Sequence, residues 1–289
     1  MFYFLSIIIN SILNFLFILS SWLFGIKRAE GVDENIVMTE GGAVKLKIYT
    51  PQAKGIKPVI IYHHGGGWVI GGIYAFGNTL RYLSHQSGSI IVMIVYQKAP
   101  RMKFPHQIDQ CKQGYQWIKN NIVQHSGDTS KIVLMGDSAG GNLLLASYSS
   151  KLKPKAIVLI YPLLDVSKKT LVAIRKDRRG KILNLIGYYF IKYITANYLK
   201  NNKLINSKFV SVNRSLNKIN IPKTFVLLAS HDPLNEQISQ FCHHMIKAKQ
   251  PLEFKKYSST LHGFITFNKI MPNAKVALDD ISTFIKANV

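Results

Sequence analysis

Five short apolar runs, rich in valine and isoleucine, recur along the chain and are separated by stretches with helical spacing. In one such stretch Ile108, Cys111, Tyr115, Ile118 and Ile122 lie three or four residues apart, which places them on one face of a helix. Continuous apolar runs suit strands that are buried on both faces of a parallel sheet. Strands that alternate with helices predict an α/β fold with right-handed crossovers. The five runs are 58–62, 89–96, 131–135, 156–160 and 224–229.

Three further segments complete a mostly parallel sheet of eight strands. Residues 34–38 and 43–49 flank a Glu-Gly-Gly turn, and the second segment alternates apolar and polar side chains, which predicts a half-buried antiparallel pair. Residues 253–257 predict a last strand and 274–287 a last helix. The stretch 166–203 is too long for a simple crossover, so we expect it to be an inserted helical cap.

Composition limits the classes of protein that the chain can belong to. Its 289 residues include 37 lysines and arginines against 14 aspartates and glutamates, a net charge of +23. The length fits one large domain or two small ones, and 47% hydrophobic residues exclude global disorder. Two cysteines exclude a disulfide scaffold and a four-cysteine zinc site, but their spacing leaves open whether Cys111 and Cys242 pair. The charge favours an anionic surface, either nucleic acid or membrane.

The first 26 residues bear no charged side chain and are mostly apolar. A bilayer core of about 30 Å needs ~20 such helical residues, so the segment is long enough to span it, and Trp22 suits an interface. A secretory signal peptide is the alternative, but a basic start and an A-x-A-like cleavage site are missing. A buried core helix is disfavoured because apolar residues cover all faces. We expect 1–26 to be an uncleaved single-pass anchor in the endoplasmic reticulum or a bacterial inner membrane.

Two patterns bear on the orientation of this anchor, and they disagree. Lys27 and Arg28 follow the apolar segment, which favours a cytosolic body by the positive-inside rule. Asn213-Arg214-Ser215 fits a glycosylation acceptor, which favours a lumenal body. The sequence therefore leaves the orientation open.

One apolar run leads directly into residues 136–141, GDSAGG, and a helix-like stretch follows at 142–150. G-x-S-x-G between a strand and a helix predicts a nucleophile elbow. Ser138 then occupies a tight, strained turn that projects its Oγ above the sheet, and Gly136 and Gly140 leave room for the crowded backbone. A plain glycine-rich turn has the same short pattern, so it is the flanking strand and helix that favour the elbow.

Another apolar run ends in residues 63–68, HHGGGW. Consecutive glycines at a strand end can aim backbone N–H groups at the oxyanion that develops in acyl transfer. We expect Gly65 and Gly66 to donate, with the N–H of Ala139 completing the oxyanion hole. A flexible turn or a phosphate cradle would also use glycines, but the G-x-x-x-x-G-K-[ST] pattern of a phosphate loop is absent.

The partners of an elbow serine follow it in the order acid, then histidine. Asp232 lies just past one apolar run, and His262 follows the last predicted strand. Both positions fall where loops gather at the carboxyl edge of a parallel sheet. We expect His262 to take the proton of Ser138, and Asp232 to fix the tautomer of His262 and stabilise its imidazolium.

Other titratable residues suit structural roles better. His64 is suited to organising the glycine loop, while His243 and His244 lie in a predicted helix with no ligand set nearby. Asp137 is an alternative acid, but it lies on the elbow itself and out of chain order. The expected chemistry requires no metal and no cofactor.

The ordered motifs HHGGGW, GDSAGG, DPL and HGF resemble those of the hormone-sensitive-lipase-like α/β-hydrolases, which include arylacetamide deacetylases, sterol-acetate deacetylases and bacterial carboxylesterases. The resemblance covers roughly residues 49–285. It implies an α/β-hydrolase domain over 30–289 and a cap built partly from the segment before the glycine loop. The functional residues that it implies are Ser138, Asp232 and His262 as the triad, with Gly65, Gly66 and Ala139 at the oxyanion hole.

Two segments depart from the family pattern. Residues 96–105, YQKAPRMKFP, have Gln97 and Arg101 where Y-R-L-A-P-E-x-x-F-P has arginine and glutamate, so any pair between those positions is lost at both ends together. Residues 232–236 read DPLNE instead of DPLRD. Because every triad position is present, these departures affect local structure rather than chemistry.

The expected function is a serine hydrolase that cleaves small acyl groups from lipophilic carboxylic esters through an acyl-enzyme. A silent ligand-binding receptor and an amidase are the alternatives, and the intact triad disfavours the receptor. A nucleic-acid partner is not expected, because no binding motif is recognisable. Ten basic residues and one acid accompany an apolar stretch in 166–203, which suits either docking on anionic lipid or a solvated basic loop.

Overall fold

The computed structural model describes residues 2–27, 29–148, 152–177, 180–214 and 221–289. Arg28, Arg178, Arg179 and Ser215, on which some of the sequence predictions depend, lie outside these ranges. Eight strands run through the described residues. They are β1 (Val32–Met38), β2 (Lys45–Pro51), β3 (Lys57–His63), β4 (Ile90–Val95), β5 (Gly127–Asp137), β6 (Ala156–Ile160), β7 (Lys223–His231) and β8 (Leu252–Leu261).

The strands form one sheet in the order β1-β2-β4-β3-β5-β6-β7-β8. β2 is antiparallel to both of its neighbours, and every other pair is parallel. This confirms the predicted mostly parallel eight-stranded sheet, including the antiparallel pair at its amino-terminal edge. The central strands β3, β4 and β6 are buried along nearly their whole length, and β5 is buried from Ile132 to Asp137, as their continuous apolar sequences require.

Helices cover both faces and the carboxyl edge of the sheet. The predicted last helix, 274–287, is present within one residue at each end. The helices are α1 (Phe2–Phe24), α2 (Ile73–Ser87), α3 (His106–Asn121), α4 (Ala139–Ser147), α5 (Lys168–Lys176), α6 (Lys181–Tyr198), α7 (Asn235–Lys247) and α8 (Asn273–Lys286).

Two helices, α5 and α6, occupy the stretch that the sequence predicts as a cap. α6 packs over two loops at the carboxyl edge of the sheet. Near the middle of the helix, Gly187 is so close to Pro233 that a Cβ there would lie 2.6 Å from the proline ring. Towards its carboxyl end Ile194 contacts Gly67, and Tyr198 stacks on Trp68 with ring centroids 4.2 Å apart. α6 therefore forms a roof over the edge where the predicted catalytic loops meet.

The amino-terminal helix α1 packs along the domain. It is long and apolar enough to cross a membrane, yet Asn14 Oδ1 accepts a hydrogen bond from the N–H of Gly71 at 2.7 Å. The ring of Phe17 packs edge-on against Phe76 and Phe267, at centroid distances of 5.7 and 6.4 Å. The helix is thus part of the tertiary structure on one side and exposed on the other.

Candidate active site

Ser138 occupies the turn between β5 and α4. Its φ of 50° and ψ of −120° are strained for a residue with a side chain. Close packing holds the turn, since a Cβ on Gly140 would collide with the carbonyl of His63, and one on Gly136 would lie 2.7 Å from the carbonyl of Gly140. The strand–turn–helix geometry is that expected of a nucleophile elbow.

Three side chains from separate loops meet above this turn. The Oγ of Ser138 lies 2.8 Å from Nε2 of His262, and Nδ1 of His262 lies 2.7 Å from Oδ2 of Asp232. The other carboxylate oxygen of Asp232 accepts from the N–H of Leu234 at 2.8 Å, which fixes the carboxylate. With Asp232 as acceptor, His262 has its proton on Nδ1 and its Nε2 free to accept the serine proton.

The surroundings of His262 raise its pKa above that of a free histidine. Burial lowers the pKa of His262, but the charge and hydrogen bond of Asp232, followed by the charge of Asp137, outweigh it, so the pKa lies above the usual 6.5. The ring of Tyr161 packs against the imidazole with centroids 4.9 Å apart. Tyr161 follows β6 at a positive φ of 34°. No sequence motif singles it out.

The glycine loop that follows β3 takes a conformation that only glycine tolerates well. Gly66 and Gly67 have φ values of 100° and 60°, and side chains there would meet the carbonyl of Ile70 and the side chain of Ile194. The N–H of Gly65, which the motif predicts as an oxyanion donor, instead donates to Oδ1 of Asp137 at 2.7 Å. Within the described part of the chain, the N–H groups of Gly66, Gly67 and Ala139 donate no hydrogen bond.

Asp137 is a buried carboxylate that joins the elbow to the glycine loop. Its Oδ1 accepts from the hydroxyl of Tyr62 at 2.5 Å as well as from Gly65. Burial raises the pKa of Asp137 to about 6, although both hydrogen bonds oppose the rise. The carboxylate is bound to the oxyanion loop and not to His262 Nδ1, so it is not the triad acid. Sequence reasoning missed its positioning role.

Two buried histidines support the same loop. His63 lies between the carbonyl of Met135, 3.2 Å from Nδ1, and the hydroxyl of Tyr115, 2.6 Å from Nε2. His64 stacks on Tyr96 at 4.1 Å and its Nδ1 lies 2.8 Å from the carbonyl of Gly65. Burial lowers the pKa of His63 to about 4 and that of His64 to about 3. Both rings are therefore neutral at pH 7, in agreement with the structural role expected of His64.

The other candidates lie away from these groups. His243 and His244 are on the outer part of α7. Cys111 and Cys242 are buried free thiols, so they do not pair. Gln97, which replaces the arginine of the family pattern, lies 3.0 Å from Nε2 of His106 through its side-chain oxygen.

A serine on a strained elbow, joined to a histidine and then to a carboxylate at the carboxyl edge of an α/β sheet, defines a serine hydrolase site of the α/β-hydrolase class. The family model described as "alpha/beta hydrolase fold" matches residues 60–266, and the chain belongs to this family. This confirms the hormone-sensitive-lipase-like resemblance that the four motifs indicate.

Two relatives with esterase names are 24% and 27% identical to this chain. A carboxylesterase of Mycobacterium tuberculosis is 24% identical over 81% of this chain and 75% of its own length. An acetyl esterase of Salmonella paratyphi B is 27% identical over 88% of this chain and 79% of its own length. The crystal structure of a thermostable carboxylesterase from a metagenomic library superposes with a TM-score of 0.84 at 23% identity, covering 96% of this chain and 97% of its own. That superposition supports the fold.

Proposed function

We propose that this protein hydrolyses carboxylic esters of small acyl groups, acetyl esters above all, through a covalent acyl-enzyme. The observation that carries the proposal is the continuous relay from Ser138 Oγ through His262 to Asp232, at 2.8 and 2.7 Å. The protein is a serine ester hydrolase, and the names of its relatives, carboxylesterase and acetyl esterase, support that reaction class.

The relay defines the order of proton transfers. Ser138 Oγ bonds to the ester carbonyl carbon while its proton passes to Nε2 of His262, which gives an anionic tetrahedral intermediate. The C–O bond to the alcohol then breaks, and His262 returns the proton to the leaving oxygen. Water repeats the sequence on the acyl-serine, with His262 as base, and releases the carboxylic acid. Asp232 stabilises the imidazolium in both halves.

The N–H groups of Gly66, Gly67 and Ala139 are the proposed oxyanion donors. They carry no other hydrogen bond among the described residues, whereas the N–H of Gly65 is held by Asp137. This assignment keeps Gly66 and Ala139 from the sequence prediction and replaces Gly65 with Gly67. Donors fixed in advance stabilise the developing charge at no cost of reorganisation, and loss of one donor costs roughly 10²–10³ in kcat.

The proposed preference for short acyl groups follows from the groups that crowd the nucleophile. Ser138 is only 8% exposed. Ile194 of the roof helix contacts the glycine loop at Gly67, and Tyr161 and Phe264 pack together, with Tyr161 against His262. An acetyl group fits such a site more readily than a long acyl chain.

We also propose that the protein works at a membrane. The support is α1, the one helix of the described chain that is long and apolar enough to cross a bilayer. A membrane-held hydrolase meets lipophilic esters where they concentrate, which agrees with a substrate of a small acyl group on an apolar alcohol.

The test compares Ser138→Ala with Ser130→Ala, which changes a surface serine of β5 whose hydroxyl donates to Asp128. We expect Ser138→Ala to lose hydrolysis of p-nitrophenyl acetate and labelling by a fluorophosphonate probe, and Ser130→Ala to retain both. The full chain should hydrolyse acetate and butyrate esters faster than decanoate. Full activity in Ser138→Ala would overturn the assignment, and a wild-type protein that neither reacts with the probe nor cleaves esters would indicate a receptor.

A further inference from the structure

The face of α1 that packs on the domain is its more polar face, which reverses the arrangement of an ordinary surface helix. Ser6, Asn10, Asn14 and Ser21 follow one another at intervals of four, four and seven residues, so they form one stripe. Ser6, Asn10 and Ser21 are nearly fully buried. Both asparagines and two of the four serines of this helix are therefore directed at the protein, whereas Ser11 is exposed and bonds back to the carbonyl of Ile7.

The stripe makes specific contacts with distant parts of the fold. Oδ1 of Asn10 accepts from the hydroxyl of Tyr193 on α6 at 2.9 Å, and Asn14 binds the N–H of Gly71 beside the glycine loop. At the end of the helix, the carbonyl of Phe24 accepts from the N–H of Lys269 at 2.9 Å. A helix that crossed a bilayer would give up these bonds and place amide side chains in hydrocarbon.

The comparison of folds supports the docked position. The metagenomic carboxylesterase covers 96% of this chain, which leaves about twelve of the 289 residues unmatched. That number is smaller than the 23 residues of α1. At least part of α1 therefore has a counterpart in the body of a related fold.

The outer face of α1 is a row of exposed apolar side chains. None of its residues carries a charge, and Trp22 is 71% exposed near its end. An exposed apolar surface of this extent marks a contact with a membrane or another protein. Its members are Phe4, Leu5, Ile8, Ile12, Phe15, Leu16, Leu19, Trp22 and Leu23.

The roof helix α6 extends this surface and adds charge. Ile186, Tyr189 and Phe190 are exposed and lie seven, four and three residues before Tyr193, which places them on the side of α6 that meets α1. Six cationic side chains lie on α5 and α6, and neither helix contains an acidic residue. The six are Lys168, Lys169, Arg175, Lys176, Lys181 and Lys192.

We propose that α1 lies in the plane of an anionic bilayer as part of one docking face with α6, and does not cross the membrane. The apolar side chains of both helices enter the boundary between headgroups and acyl chains, and the cations of α5 and α6 meet lipid phosphates. The lipid surface is the occupant because an apolar centre with a cationic border matches its chemistry. The inference deepens the membrane attachment proposed above and does not depend on ester hydrolysis.

The first experiment measures binding of the full chain to vesicles of neutral phosphatidylcholine, with and without 30% phosphatidylglycerol. The triple variant Ile12→Gln, Phe15→Gln and Ile186→Gln removes the centre of the face. A matched control changes Ile56, Ile246 and Phe254 to Gln, since these apolar side chains are as exposed but lie elsewhere. We expect the face variant to bind anionic vesicles about 100-fold or more weakly and the control to bind as wild type. Equal binding by both variants would overturn the proposal.

Charge is tested in the same assay. Replacing Lys168, Lys169, Lys181 and Lys192 with Gln should weaken binding to anionic vesicles at low salt and leave the weaker binding to neutral vesicles unchanged. No loss on anionic vesicles would refute the cationic border. If the face instead holds a second copy of the chain, wild type sediments as a dimer without lipid and the triple variant as a monomer, which would also overturn the proposal.

The last experiment distinguishes an α1 that lies in the plane of the membrane from an α1 that crosses the bilayer. An epitope tag with a protease site before Met1 is added to the full chain, and membranes are sealed with the domain outside. A helix that lies in the plane keeps the tag on the side of the domain, so added protease removes it. A protected tag would overturn the proposal while leaving membrane attachment intact. Hydrolysis of p-nitrophenyl acetate, which needs no vesicle, reports separately on the proposed enzyme.

Discussion

Asp137→Asn isolates the role of the buried carboxylate beneath the oxyanion loop. Both donors to this side chain, the hydroxyl of Tyr62 and the N–H of Gly65, reach the same oxygen, Oδ1. Asn presents an oxygen of the same shape there but no charge. The variant therefore keeps an acceptor oxygen for both donors and removes its charge, which accounts for roughly half of the strength of these hydrogen bonds.

The pKa of Asp137 sets the size of the effect on stability. Burial raises that pKa from 3.8 to about 6, a shift of about two units at about 1.4 kcal/mol each. Because the pKa is raised in the folded state, stability is lost as the pH rises through the window from about 4 to about 6, and the loss reaches about 3 kcal/mol. The Asn variant has no group to ionise there. Relative to wild type, its free energy of unfolding should rise by about 3 kcal/mol between pH 4 and pH 7.

The same substitution should lower catalysis. A weaker hold on Gly65 loosens the loop that carries the oxyanion donors, and a displacement of about 1 Å can cost 10²-fold. We expect kcat for p-nitrophenyl acetate to fall about 10- to 100-fold with little change in KM. The acid limb of the pH profile should also move to lower pH, because the charge of Asp137 raises the pKa of His262.

The assay is urea unfolding of the full chain in mild detergent at several pH values, beside steady-state kinetics. Asp165→Asn is the control, because the pKa of Asp165 is shifted in the opposite direction from that of Asp137. Burial raises the pKa of Asp165, but hydrogen bonds from Thr170, Ser167 and Ser211 outweigh it and lower that pKa overall. The ionised carboxylate of Asp165 therefore stabilises the fold above the ordinary carboxylate pKa, and this contribution is lost as the pH falls. Asp165→Asn should lower the free energy of unfolding more at neutral pH than at acid pH. If the difference in free energy of unfolding between Asp137→Asn and wild type does not change with pH, the reasoning is refuted.

Three other predictions follow from the site. Asp232→Asn should reduce kcat about 10⁴-fold while leaving the fold intact, because His262 then takes the wrong tautomer; circular dichroism and a p-nitrophenyl acetate assay check both parts. The acid limb of kcat/KM should have its midpoint above pH 6.5, since Asp232 raises the pKa of His262 against burial and protonated His262 cannot accept the serine proton; a midpoint below 6.5 would contradict this. Gly67→Ala should lose most activity because its Cβ would lie 2.7 Å from the Ile194 side chain, and adding Ile194→Ala should restore part of kcat; no recovery would argue against that contact.

Local chemistry explains why much of this site is predictable from sequence. The elbow is specified by neighbours in the chain, since a strand, two glycines and a helix around Ser138 leave one backbone path. Asp232 and His262 are predictable because parallel strands carry the loops that follow them to the same edge. The antiparallel pair β1–β2 follows from alternation, and Glu34 pairs with Tyr49 in the observed register.

Some features of the site and of α1 could not be predicted from the sequence, because they depend on contacts between segments that are distant in the chain. The N–H of Gly65 is bound by a carboxylate 72 residues away, and a motif cannot report which backbone donors are already in use. Tyr161 reaches His262 only because β6 places it beside the elbow. Hydropathy likewise averages over α1 and does not report that both of its asparagines share one face, which has partners on α6 and at Gly71.

Six of the 37 cationic residues behind the net charge of +23 lie on α5 and α6. α1 adds apolar area and no charge, whereas α5 and α6 beside it add cations and no acid. These two contributions to membrane binding respond differently to salt: burial of apolar side chains is insensitive to moderate ionic strength, and attraction to lipid phosphates falls within a Debye length of about 10 Å at 0.1 M. Binding that persists at high salt therefore measures the α1 face, and the part that salt removes measures the cations. A helix that crossed the bilayer would bind with little salt dependence, because insertion of an apolar segment dominates its free energy.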